Sequence, residues 1–140
     1  MTGIGAPRVT LIAAVIANVL GWLLPAFSDE RGWAAFVFAL SPLWDYRHFQ
    51  SEGLGLIAFI VLSALTNVLF VVLAAALAFG PARRAKPVLY AAAAATLLNL
   101  YWPILLEADR GRLEAGFFIW VSSFTLLALS AFLTSRAAPR

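Results

Sequence analysis

Three asparagines are the residues of this sequence best suited to chemistry in an apolar environment. Asn18, Asn67 and Asn99 each lie near the middle of a long apolar run. A carboxamide surrounded by hydrocarbon must find a hydrogen-bond partner, because no water is there to solvate it. The three side chains could form hydrogen bonds between helices that fix how those helices pack. Alternatively, they could form a polar layer that coordinates a solute or an ion, or meet a second chain.

The apolar runs contain no ionisable residue in their interiors. Proton- or ion-coupled transport usually places a titratable group inside the membrane, where its charge can be switched. The sequence therefore gives no sign of coupled transport.

The single histidine, His48, offers no catalytic or metal site. It follows Asp45, Tyr46 and Arg47, but neighbouring residues on one connection do not make a catalytic triad. One histidine with scattered carboxylates also lacks a metal-ligand spacing, and the chain has no cysteine. We therefore expect no catalysis, no cofactor and no metal.

Aromatic residues are expected to gather on one side of the molecule. An aromatic belt would place tryptophan and tyrosine at both membrane surfaces, so a one-sided distribution suggests an aromatic platform that receives a lipid, a peptide or a partner's helix. The members of this predicted platform are Trp22, Trp33, Trp44, Tyr101, Trp102 and Trp120.

The composition indicates a membrane protein. Apolar residues make up 63% of the chain and charged residues 12%, whereas about a quarter of the residues in a soluble domain are charged. The net charge of +3 comes from basic residues that flank apolar runs. Lipid headgroups, and not nucleic acid, are therefore the expected anionic neighbours.

The 140 residues accommodate one domain with four spans of about 20 residues each. The fold class predicted is an all-α integral membrane protein, a bundle of four transmembrane helices with an uncleaved first span. Pro103 predicts a kink or an early helix end in the third span, since proline cannot donate to the helix ladder. The predicted spans are residues 9–27, 54–79, 87–106 and 116–134.

The connection after the first span is predicted to contain a short interfacial helix at about residues 29–41. Ser28 would cap it, Asp29 and Glu30 would favour its positive end, and Pro42 would end it. The segment is too short to cross a membrane.

Charge predicts the orientation of the bundle. With four spans, both termini and the middle connection share one side, and the basic residues there are Arg8, Arg83, Arg84, Lys86, Arg136 and Arg140. That side has no acid, whereas the other side has more acids than bases. Because basic residues are retained in the cytoplasm, both termini are predicted to be cytoplasmic. The usage of alanine, arginine and leucine is typical of a bacterial protein of the cytoplasmic (inner) membrane.

Two functions follow from these features. The first is a non-catalytic membrane protein that binds lipid, or serves as an accessory subunit of a membrane complex, through the aromatic platform. The alternative is a homo-oligomeric channel or facilitator that passes a small solute or ion along the asparagine layer. The expected partners are bilayer lipid, a membrane protein or a second copy, without nucleic acid.

Overall fold

The computed structural model describes residues 5–45, 47, 53–106 and 112–137, most of which are helical. Two short strands and two 3-10 turns, Ser41–Leu43 and Ala82–Arg84, connect the helices. The helices are α1 Ala6–Leu23, α2 Gly32–Leu40, α3 Leu54–Phe79, α4 Ala85–Leu100, α5 Trp102–Leu105 and α6 Ala115–Ala137, and the strands are β1 Pro25–Phe27 and β2 Glu30–Arg31.

Four helical segments are long and apolar enough to span a membrane: α1, α3, the segment Ala82–Leu105 and α6. This confirms the prediction of a predominantly helical fold with four such segments. The bounds of α3 match the predicted span 54–79. Helix α6 begins one residue before the predicted span 116–134 and continues three residues beyond it.

The first helix ends earlier than predicted. Leu24 is extended, with φ of −86° and ψ of 157°, because the residue before a proline is disfavoured in the helical region. Strand β1 then pairs with β2 in an antiparallel hairpin, with Pro25 opposite Arg31 and Phe27 opposite Glu30. Residues 24–27 therefore form part of a hairpin and not the last turn of a span.

The short helix in the first connection exists but starts later than predicted. Ser28 and Asp29 have φ angles of 48° and 67° and form the hairpin turn, so Ser28 does not cap a helix. The N-cap of α2 is Arg31, without a side-chain capping bond. Because the hairpin uses residues 25–31, α2 begins only at Gly32; it ends at Leu40, before the 3-10 turn that contains Pro42.

The third span is interrupted close to Pro103, as its sequence predicts. Helix α4 ends at Leu100, two residues before the separate turn of α5. The Tyr101 N–H donates to the Leu98 carbonyl at 3.2 Å, and Pro103 has no N–H to continue the ladder. The helix starts at Ala85, so Pro87 lies within its first turn and not at its first residue.

Helix α6 lies at the centre of the bundle and packs along both α1 and α4. The core between α3, α4 and α6 is built from large residues set against alanines, and Phe70 meets Phe124 edge-on with ring centroids 5.3 Å apart. Ala14 of α1 and Ala92 of α4 are fully buried in this core. Small residues at helix contacts let the backbones approach closely, as is usual in membrane bundles.

Gly21 of α1 packs directly against Trp120 of α6. A Cβ atom added to Gly21 would lie 2.6 Å from the Trp120 Cβ, which is too short for a carbon–carbon contact. This contact places the indole of Trp120 beside the end of α1.

Candidate functional site

The three asparagines are buried on three helices, α1, α3 and α4. Each carboxamide bonds a different set of partners, and no hydrogen bond joins one asparagine to another among the described residues. These hydrogen bonds determine which polar atoms of the asparagines remain available to a ligand.

Asn67 of α3 joins three helices through two tryptophans. Its Oδ1 accepts the indole N–H of Trp22 from α1 at 3.0 Å and that of Trp120 from α6 at 2.7 Å. Its Nδ2 donates to the Ala64 carbonyl at 3.1 Å. Two donors use both lone pairs of the carboxamide oxygen, so Asn67 has no acceptor left for a solute.

Asn99 of α4 forms a second set with α3. The Ser63 hydroxyl donates to the Asn99 Oδ1 at 2.7 Å, and the Asn99 Nδ2 donates to the Thr66 Oγ1 at 3.0 Å. The Trp102 indole N–H donates to the Ser63 Oγ at 2.8 Å. The indole of Trp102, directly after the break at Leu100, is thus hydrogen bonded to α3.

Asn18 of α1 forms the third and smallest set. Its Nδ2 donates to the Ser123 Oγ of α6 at 3.1 Å, and that hydroxyl donates to the Trp120 carbonyl at 2.6 Å. Among the described residues, no buried side-chain nitrogen or oxygen is left without a hydrogen-bond partner. The three sets therefore behave as interhelical hydrogen bonds.

The partners of the asparagines were not singled out from the sequence. Ser63, Thr66 and Asn67 follow helical spacing on one face of α3, and residues three and four apart are neighbours on a helix surface. This spacing within an otherwise apolar run is the signal that could have identified Ser63 and Thr66. Ser123 is one of several serines on α6, including Ser122 and Ser130, so the sequence does not single it out.

The predicted aromatic platform divides into two groups. The first, Trp22, Trp102 and Trp120, is half-buried, and each of its indole N–H groups is hydrogen bonded inside the molecule. The second group, Trp33, Trp44 and Tyr101, is 46–64% exposed. The first group lines a cavity.

This hairpin cavity has a volume of about 730 Å³ and lies between the hairpin, α2, α3, α6 and Trp102. Its inner end is formed by Ser63 and Asn67 with the three half-buried tryptophans, and its other walls include Ile60 and Phe117. Asn67 is the fourteenth of the 26 residues of α3. The cavity therefore extends from the hairpin to about half the length of α3.

Helix α2 lines the cavity with three alanines and with two phenylalanines, Phe36 and Phe38. Ala34, Ala35 and Ala39 line it, whereas Val37 does not and is 49% exposed. The start of α2 lies so close to α1 that a Cβ atom on Gly32 would clash with the Gly21 carbonyl. The alanines leave space that larger side chains would occupy.

Among the described residues, the charged groups that line the cavity are Glu30 of the hairpin and Arg112 beside it. Arg112 donates from Nε to the Ser28 Oγ at 2.5 Å, and its guanidinium carbon lies 4.8 Å from the centre of the Phe27 ring. The main chains of these two residues are also hydrogen bonded, since the Ser28 N–H donates to the Arg112 carbonyl at 2.8 Å. The cavity thus has a charged end at the hairpin and an aromatic end inside the bundle.

The residues described contain no group of three or more histidine, cysteine, aspartate or glutamate side chains that could hold a metal ion. His48 and Tyr46 lie outside the described residues.

A comparison of the chain with protein-family models, with curated proteins and with solved structures gives no match. The geometry of the cavity and of its lining side chains is therefore the basis of the functional proposal.

Proposed function

We propose that this protein is a non-catalytic integral membrane protein that binds one lipid-like amphiphile in the hairpin cavity. The cavity carries the proposal. Its volume of about 730 Å³ falls within the range of about 300–1,000 Å³ typical of small-molecule sites, which are mostly apolar with few polar groups. The four long apolar helical segments support a location in a membrane, where an amphiphile is the most abundant ligand.

The polar groups support one orientation of the ligand. At the inner end, the Asn67 Oδ1 accepts two indole N–H groups, and the Ser63 Oγ both accepts and donates a bond. An inner end whose polar atoms already bond one another favours an apolar chain, because a polar group placed there would have to displace existing bonds. The polar head would then lie beside Glu30 and Arg112.

The basic residues support a matching membrane orientation. With both termini cytoplasmic, as positive charge favours, the hairpin would lie on the outer side. The ligand's head would then face outward, as in the outer leaflet of a bacterial inner membrane. Its chain would run toward the middle of the membrane.

The exposed aromatic group supports an accessory or anchoring role on the same side. Trp33 and Trp44 are 49% and 64% exposed, and their amphipathic rings suit the headgroup level of a membrane or the surface of a partner membrane protein. The channel alternative has less support, because the polar atoms of Asn18, Asn67 and Asn99 are bonded in separate sets.

The test is to fill the cavity from α2. Ala39→Phe would place a ring inside the cavity, and Val37→Phe would place the same ring on the exposed face of the same helix. Each purified protein is titrated with a lysophospholipid, and native mass spectrometry counts the molecules retained per chain. We expect one lysophospholipid on the wild type and on Val37→Phe, and at least a tenfold weaker binding to Ala39→Phe.

Thermal unfolding of each variant separates loss of the site from loss of the fold. If Ala39→Phe unfolds at a lower temperature than Val37→Phe, Ala35→Phe provides a second filled cavity from the same helix. Equal lysophospholipid binding by the wild type and a folded filled variant would overturn the proposal.

A further inference from the structure

The end of the bundle opposite the hairpin carries a concentrated positive charge. This basic end is defined by Arg8, Arg83, Arg84, Lys86 and Arg136, all of which are exposed. The acidic residues within the described ranges, Asp29, Glu30, Asp45 and Glu114, belong to the hairpin side of the chain. The described part of the basic end therefore holds cations without an intramolecular carboxylate.

Packing brings these cations together from separate segments. Arg8 follows Pro7, whose carbonyl accepts the Ser130 hydroxyl of α6 at 2.8 Å. The 3-10 turn Ala82–Arg84 also contacts α6, and Arg136 lies in the last turn of that helix. The basic end is thus a surface built around the C-terminal part of α6.

Apolar and aromatic residues directly border this surface. Phe79 is 91% exposed at the end of α3, and Tyr90, one turn after Lys86, is 70% exposed. The Arg136 guanidinium carbon lies 4.9 Å from the centre of the Phe132 ring. Cations that rest on exposed apolar side chains match a membrane surface, where stems contact acyl chains and charged heads reach the headgroups.

We propose that the basic end binds anionic phospholipid through the phosphate of its headgroup. Positive charges held together without acidic partners repel one another, and an external anion relieves this repulsion. The bordering Phe79 and Tyr90 favour a phosphate that carries acyl chains over a soluble anion. This site is separate from the hairpin cavity, so it does not depend on the ligand proposed there.

The experiment compares two pairs of substitutions that each remove two positive charges. Arg83→Gln with Arg84→Gln removes two cations from the basic end, whereas Arg31→Gln with Arg47→Gln removes two exposed cations from the hairpin side. Native mass spectrometry follows the titration of each protein with phosphatidylglycerol, which is anionic, and with phosphatidylcholine, which has no net charge.

The wild type is expected to bind phosphatidylglycerol more tightly than phosphatidylcholine. A cation near an anionic lipid surface strengthens binding about fivefold, so loss of two cations should weaken phosphatidylglycerol binding by about 25-fold. The pair Arg31→Gln with Arg47→Gln should bind as the wild type does. All four side chains are exposed, so thermal unfolding should change little.

Three results would overturn the proposal. The first is equal affinity of the wild type for the two lipids. The second is an equal loss of phosphatidylglycerol binding in both substituted pairs, which would indicate a general charge effect. The third is full displacement of phosphatidylglycerol by the same concentration of inorganic phosphate, which would indicate a site for a soluble anion. Ala39→Phe should leave the preference for phosphatidylglycerol over phosphatidylcholine unchanged, so failure here is distinguishable from failure of the hairpin cavity.

Discussion

Replacement of Asn67 by leucine should destabilise the bundle more than replacement of Asn18 by leucine. The carboxamide oxygen of Asn67 accepts two indole N–H groups from two other helices. Leucine removes both bonds at once, and it leaves the Trp22 and Trp120 N–H groups without their acceptor. The matched control is Asn18→Leu, because Asn18 is similarly buried and bonds a single side chain, Ser123.

The magnitude follows from the number of bonds. An interhelical hydrogen bond in a membrane bundle contributes about 0.6 kcal/mol on average and about 1.7 kcal/mol at most. Asn67→Leu should therefore lower the free energy of unfolding by about 1–3 kcal/mol, and Asn18→Leu by about 0.6–1.7 kcal/mol. Leucine is introduced at both sites, so the difference in the loss of unfolding free energy between the two variants isolates the second hydrogen bond of Asn67.

The assay is equilibrium unfolding in mixed micelles by titration with a denaturing detergent, followed by circular dichroism. A double-mutant cycle of Asn67→Leu with Trp120→Phe measures the bond at 2.7 Å directly and should give a coupling energy of about 0.6–1.7 kcal/mol. A loss in Asn67→Leu no larger than that in Asn18→Leu, together with additive effects in the cycle, would refute the reasoning.

Three further substitutions test the elements around the cavity. Gly21→Ala should lower the unfolding temperature, because its Cβ atom would lie 2.6 Å from the Trp120 Cβ; an unchanged unfolding temperature would contradict this close contact. Asp29→Val should destabilise the hairpin turn by about 1–2 kcal/mol, since a β-branched residue is poorly tolerated at a φ of 67°; Asp29→Gly, measured by the same detergent titration, should show no such loss. Pro103→Ala restores a backbone N–H after the break and should join α4 to α5. That change should alter the tryptophan fluorescence by moving the Trp102 indole from Ser63, and an unchanged spectrum would count against it.

The long helices could be predicted from the sequence because their ends are marked in it. Leu54–Phe79 has no charge over 26 residues and is bordered by Gly53 and Gly80, so the predicted and observed bounds agree. Pro103 marked the break in the third span for a similar reason. These signals are local, and they act through the backbone alone.

The hairpin could not be predicted because its partners are distant in sequence. Pro25–Phe27 continues the apolar character of α1, so hydropathy alone extends the span through it. Its structure depends on residues more than 80 positions away: Phe27 bridges to Leu113, and the Asp29 N–H donates to the Glu114 carboxylate at 2.7 Å. Pairing of this kind overrides local helix preference.

The grouping of the polar and aromatic side chains also lay beyond the sequence. Position along a span could be counted: Asn67 is the fourteenth of the 26 residues of α3, whereas Asn99 lies one residue before the end of α4. The rotation of each helix about its axis could not be predicted, because a helix that is apolar all round shows no inward face in its hydropathy. For this reason, the sequence could not predict which groups the three asparagines bond, or which of the aromatic residues face inward and which outward.

Photocrosslinking tests the proposed ligand site most directly. A lysophospholipid that carries a diazirine near the end of its chain is bound to the wild type in a bilayer, irradiated and located by peptide mass spectrometry. The account predicts crosslinks concentrated at the inner end of the hairpin cavity, on residues such as Trp22, Asn67 and Phe117, and their loss in Ala39→Phe. Crosslinks confined to the exposed faces of α1 and α4, with the same pattern in Ala39→Phe, would contradict it.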